Sequence, residues 1–177
     1  MIIIPGQLIA LLTFPGVIVH EIAHQLFCRW FGVAVFDVCY FRFGNPVGYV
    51  VHEPPRTFKQ SFFISVGPLF VNTFLGAMIA FPAMIPVGQF EAGTPLDYVI
   101  IWLGVSIAMH AFPSTGDAMS LWRAAKEFHG GFLAKIIAAP VVGMIYLCAL
   151  GRIFWLDAIF GVAVCWAIPT LLVYALS

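Results

Sequence analysis

The residues best equipped for chemistry in this 177-residue chain are His20, Glu21 and His24. The run His20-Glu21-Ile22-Ala23-His24 fits H-E-x-x-H, in which histidines at i and i+4 of a helix project from nearly the same face and can share one zinc ion. Zinc lowers the pKa of a bound water towards about 7, and a carboxylate one residue from a ligand can take the proton as that water attacks a carbonyl carbon. Glu21 is the natural general base. At ordinary residue usage these fixed positions arise by chance in only about one chain in a few hundred of this length. The competing account is a polar cluster satisfied by neighbouring helices, but ionisable side chains inside an apolar segment are costly and usually mark function.

The elements that must position this motif are apolar. The chain is 62% hydrophobic and 9% charged, with a mean hydropathy of +1.02, against roughly 45–50% apolar and 25% charged in a soluble domain. The formal net charge is zero, so no basic surface invites nucleic acid. Cys28, Cys39, Cys148 and Cys165 form no C-x-x-C pair and read as small hydrophobes. The N-terminus lacks the basic region of a cleavable signal, so the first apolar run is expected to stay in the mature protein.

A hydrocarbon core of about 30 Å takes roughly 20 helical residues. Five stretches qualify: Ile2 to about Trp30, Lys59 to Glu91, Asp97 to Asp117, about Gly131 to Arg152, and Asp157 to Ser177. Arg29, Arg42, Arg56 and Lys59 follow the first stretch and Arg123, Lys126 and Lys135 the third, leaving Arg152 for the opposite face. The positive-inside bias then puts the N-terminus outside, and the C-terminus inside after five crossings. Between the first two spans, the β-branched and aromatic segments at 33–40 and 47–51 flank Gly44-Asn45-Pro46 and predict a β-hairpin, ended by Pro54-Pro55. The expected fold is an all-α integral membrane protein of about five transmembrane helices, with a small membrane-associated β-hairpin after the first. It forms a single domain over 1–177, with a core at about 1–128 and additional helices at about 131–177.

Catalytic zinc usually has three protein ligands and one open position. The remaining acids and histidines are Asp37, His52, Glu53, Glu91, Asp97, His110, Asp117, Glu127, His129 and Asp157. At 1.5 Å per residue, His20 lies about 27 Å along a helix begun near Ile2, and Asp117 about 28 Å along one begun near Tyr98. Both helices run from outside to inside, so Asp117 is the first choice. His110, one or two turns earlier, is the second, although it reads more readily as a hydrogen-bonding residue between helices. Glu91, Asp97 and Asp157 fall on the wrong side. Pro113-Ser114-Thr115-Gly116 should break the third span just before Asp117.

These motifs resemble the site-2 protease family of intramembrane metalloproteases, which carry H-E-x-x-H on one core helix and an aspartate ligand after a Pro-containing break in another. Gly67-Pro68-Leu69-Phe70-Val71-Asn72 is similar to the family's G-P-x-x-x-N element. Together the motifs cover roughly Pro15 to Trp122. This chain departs from the family at the third ligand, where an Asn-x-x-Pro stretch followed by Asp-Gly is usual and His110-Ala-Phe-Pro113-Ser-Thr-Gly-Asp117-Ala118 stands instead. The resemblance implies a core built from the first three spans and a place for Asn72 near the active site, where it would help to stabilise the oxyanion. Read without it, Asn72 is an interhelical hydrogen-bonding residue.

The expected activity is a zinc metalloendopeptidase whose His20, His24 and Asp117 hold the metal. Its expected substrate is a transmembrane or membrane-proximal segment of another protein, met in the lipid bilayer of the cell membrane with the site towards the cytoplasmic side. An exposed hairpin edge could hold an unwound substrate as an added strand. A non-catalytic metal-binding membrane scaffold is the alternative. A metal or proton transporter is a third reading, but no polar residues continue the motif across the other spans.

Overall fold

Capping residues, prolines and glycines cut the apolar sequence into elements. The computed structural model describes residues 6–127 and 131–176. The expected start of the first span at Ile2, and His129, lie outside the described residues. The helices are α1 (Gly6–Leu12), α2 (Phe14–Trp30), α3 (Phe58–Gln89), α4 (Pro95–Met109), α5 (Thr115–Glu127), α6 (Gly131–Gly151) and α7 (Leu156–Leu176), with strands β1 (Val35–Cys39) and β2 (Tyr49–His52) between α2 and α3. Thr57 and Gln60 close a capping box at the start of α3, and Thr94 and Asp97 do the same for α4, each satisfying backbone donors that a helix start leaves free. The motif helix α2 stops at Gly32. There the left-handed φ of 65° lets Gly32 N–H reach the Arg29 carbonyl and Val33 N–H the Cys28 carbonyl, the Schellman pattern that favours glycine.

The expected hairpin is present. Strands β1 and β2 pair antiparallel, Val38 opposite Val50 and Cys39 opposite Tyr49, with an irregularity between Val35 and Asp37. Behind it, Phe27, Cys28, Val33 and Ile64 form a buried cluster that ties the end of α2 to α3. Helices α3 and α4 meet through small residues. A side chain on Gly76 would press on the Gly104 carbonyl, and one on Gly104 would press on the Gly76 carbonyl. Close backbone approach of this kind is how helices associate where lipid removes the hydrophobic drive between them.

The helices do not make five successive crossings. Among the described residues three, α3, α6 and α7, are long and apolar enough to span a membrane, or four if α1 and α2 count as one broken span. The first expected span is bent by 89° between α1 and α2. The third is 15 residues long and ends at Met109, so Asp117 belongs to a separate helix, α5. Direction also differs from alternation. Gly161 of α7 lies against Met109 and Val105 of α4, Cys165 reaches the Gly76 carbonyl, and Trp166 lies by Gly88. Helix α7 therefore runs the same way as α3 and ends beside the C-terminal part of α3, whereas five alternating crossings would make the two antiparallel. The cause is α6. Its first turns pack at Val66, Leu121 and Ala125, and the chain then reaches Phe160 beside Phe112 without climbing to the far end of α3.

Candidate metal centre

Two helices bring three ligand side chains together. His20 and His24 lie one turn apart on α2, and Asp117 comes from the first turn of α5. One ligand atom from each of the three lies within 4.8 Å of the others. Two expected histidine ligands and the first-choice third ligand are thus brought together, and the break expected before Asp117 is present, although it begins earlier, with α4 ending at Met109.

The histidine tautomers are fixed by backbone. His20 Nδ1–H donates to the His110 carbonyl at 2.7 Å, and His24 Nδ1–H to the Ile64 carbonyl at 2.9 Å. A carbonyl can only accept, so each neutral ring carries its hydrogen on Nδ1 and presents a bare lone pair at Nε2. The two Nε2 atoms stand 3.1 Å apart. Two lone pairs at that distance repel, and a cation between them converts the repulsion to attraction. Asp117 supplies the anion, with Oδ1 3.6 Å from His24 Nε2. Neighbouring ligand atoms of a tetrahedral zinc with bonds of about 2.0–2.1 Å stand roughly 3.3 Å apart, between the two observed separations. The two-histidine, one-carboxylate donor set and these two separations suit a divalent ion such as zinc, and the backbone carbonyls behind the two rings are the outer partners such ligands usually have.

The second oxygen of Asp117 is used locally. Oδ2 accepts from Ser114 N–H at 2.8 Å and from the Ser114 hydroxyl at 2.6 Å, while Asp117 N–H donates to Ser114 Oγ at 3.2 Å. This is a capping box at the start of α5. It points Oδ1 away from the helix and at the histidines. The Ser-x-x-Asp spacing was available in the sequence as a helix-start signal, a role beyond the break expected there. The carbonyls of Ile64 and His110 had no sequence signal, because every residue carries one.

Glu21 is buried, at 9% exposure, beside the two ligands. The segment leading into β2 lies on it: a Cβ placed on Gly48 would be 2.8 Å from Glu21 Cγ and 3.0 Å from Oε1. Asn72 is fully buried between α2, α3 and α4, and its amide donates to the Gly16 carbonyl at 3.2 Å and the Ile107 carbonyl at 3.1 Å. Both amide hydrogens are committed to these carbonyls, and Oδ1 has no partner among the described residues. His110 is not among the grouped ligand atoms. Its ring Nε2 meets the Thr13 hydroxyl at 2.8 Å. No family model, curated protein or solved structure matches the chain, so the functional reading rests on the geometry of this site.

Proposed function

We propose that the chain is an intramembrane zinc metalloprotease, similar in mechanism to the site-2 protease family, that hydrolyses a peptide bond within or near a transmembrane segment of another membrane protein. The observation that carries this reading is the grouping of His20, His24 and Asp117, with one ligand atom of each within 4.8 Å of the others and a buried carboxylate, Glu21, one residue from the first ligand. Zinc held there would polarise a water molecule and the scissile carbonyl.

The protein's own groups do the rest. Glu21 takes a proton from the attacking water on a carboxylate oxygen and returns it to the departing amide nitrogen, which leaves as a neutral amine. Burial of Glu21 between α2 and the hairpin keeps bulk water from competing for that proton. Asn72 holds Gly16 of α2 to Ile107 of α4 and so fixes the helices on either side of the site. The oxyanion role implied by the resemblance would need Asn72 to release one of its two carbonyls.

The apolar helices support a place in the lipid bilayer, and the grouping of Arg29, Arg56, Lys59, Arg123 and Lys126 near the junction of α2, α3 and α5 supports a cytoplasmic face for that end. A substrate helix must be unwound before its carbonyls can be attacked, so the reading includes a membrane-protein substrate that enters from the bilayer. The test is metal analysis and cleavage of a membrane-protein substrate library by wild type, Glu21→Gln and Asp117→Ala in proteoliposomes. Glu21→Gln should keep one zinc per chain and lose cleavage, and Asp117→Ala should lose both. Full cleavage by Glu21→Gln would overturn the mechanism. Zinc retention with no cleavage by wild type would favour the non-catalytic scaffold.

A further inference from the structure

We propose that His110 is a positioning residue for the metal ligand His20, and that it is itself anchored by Thr13 at the bend between α1 and α2. The proposal rests on the reading of His20 as a ligand and concerns what holds that ligand's ring.

His110 sits just past the last turn of α4, as its C-cap. Carbonyls at a helix end have no partner within the helix, and their direction is set by whatever holds the residue. The His110 carbonyl accepts from His20 Nδ1–H at 2.7 Å, so the attitude of this one peptide decides where the His20 lone pair points. The ring of the same residue is held from the other side. The Thr13 hydroxyl has a single hydrogen, and the Ile9 carbonyl, 2.7 Å away, can only accept it. The Thr13 oxygen must therefore accept from His110 Nε2–H at 2.8 Å, which places the proton of neutral His110 on Nε2.

One continuous path results. Ile9 in α1 holds Thr13, Thr13 holds the His110 ring, and the His110 backbone holds His20. Gly16 makes the path possible, because a Cβ there would overlap the Ser106 carbonyl oxygen and the His110 ring. Thr13 also stands at the 89° turn between α1 and α2, so the same hydroxyl links the turn to the ligand. The sequence motif assigns none of this to His110, which enters the site through its carbonyl and not as a third ligand.

The experiment uses the full chain purified in detergent, zinc affinity measured by competition with a chromophoric chelator, and the visible spectrum of the Co²⁺-loaded protein. Loss of a partner behind a metal-binding histidine usually weakens metal binding about 10–100-fold. Thr13→Val and His110→Ala should each weaken zinc about tenfold and shift the Co²⁺ bands, while Thr13→Ser and His110→Gln, which keep a hydrogen bond, should stay within about threefold of wild type. The Thr13→Val/His110→Ala double variant should be no weaker than the worse single one, because both cut the same link. Unchanged zinc affinity and Co²⁺ spectrum in Thr13→Val, or single effects that multiply, would overturn the tie. Should His110→Ala fail to fold, the Thr13→Val and Thr13→Ser pair decides the matter. A wild type that takes up no zinc would overturn the metal reading itself, whereas a wild type that binds zinc beside an unaffected Thr13→Val overturns only the role of His110.

Discussion

Asp117 divides its work between two oxygens, and the division explains how a helix start becomes part of a metal site. Oδ2 is spent on the Ser114 amide and hydroxyl, so Oδ1 is left with one direction, towards His24. A carboxylate free to rotate would lose conformational entropy on ligating, whereas this one is held before metal arrives. Ser114→Ala removes the hydroxyl and leaves the backbone donor. It should weaken zinc binding about tenfold without abolishing it, as read by chelator competition, and an affinity equal to wild type would show that the cap does not orient the ligand. The two histidines were legible in the sequence because helical period alone puts i and i+4 on one face. Asp117 was reached by counting helical rise along one helix, but α4 stops at Met109, and beyond the break expected at Pro113–Gly116 α5 packs on α3 and α6 with Asp117 facing His24. The spacing that marked the true local structure, Ser114 to Asp117, is three residues long and unaffected by the larger error. Asn72 was legible as a polar residue needing partners inside an apolar helix. Which partners it finds depends on two other helices, which no local pattern specifies.

At the scale of elements, the hairpin is more than a connection between α2 and α3. Its return segment crosses Glu21 at Gly48, where a methyl group would come within 3.0 Å of the carboxylate, tighter than ordinary contact allows. The approach needs a residue without a Cβ, and Gly48 supplies it. Gly48→Ala should therefore push Glu21 aside while leaving the metal ligands, which are held by α3, α4 and Ser114, where they are. Displacement of a catalytic group by about 1 Å can cost on the order of 100-fold, so cleavage should fall at least tenfold with zinc content unchanged, measured on the same preparation by proteolysis and metal analysis. Equal cleavage by Gly48→Ala would mean that the hairpin does not set the position of Glu21. The hairpin itself could be read from its β-branched runs and the Gly-Asn-Pro turn signal, because a period-two pattern is local. The 89° turn at Thr13 is missed by hydropathy alone, because residues on both sides of it are largely apolar. Its local signal is Thr13 followed by Pro15, the cap and first-turn proline of a helix start.

For the whole molecule, the direction of α7 changes what the charge pattern implies. Counting apolar stretches gives five passes and puts the two chain ends on opposite faces, but that count assumes each stretch crosses and returns. Here α7 follows α3, with Cys165 at Gly76 and Trp166 at Gly88, and Pro169, Thr170 and Val173 line a small cleft with Met84, Ile85 and Gly88. The end of α7 therefore lies on the same side as the turn around Glu91, opposite the basic end that holds Arg56 and Lys59. Hydropathy cannot distinguish a helix that crosses from one that lies obliquely against its neighbours, since both need apolar surface. Contacts between helices settle direction, and those come from small residues such as Gly76 and Gly161 meeting across the chain. In a Cys39→Ser background, which removes the half-exposed cysteine of the hairpin, cysteines introduced as Arg56→Cys and Glu91→Cys should react with a membrane-impermeant maleimide from opposite faces of sealed vesicles. A reporter fused after α7 should be accessible from the same face as Glu91→Cys. Accessibility from the Arg56→Cys face would restore five alternating crossings and would require α7 to run against α3. The two arrangements also differ beside the metal-ligand cluster, because Phe112, two residues after the His110 carbonyl that holds His20, packs on Phe160 near the start of α7. From that level α7 leaves along α3 and α4 towards the far face, so five alternating crossings would have to break this packing as well as the Cys165 contact with Gly76.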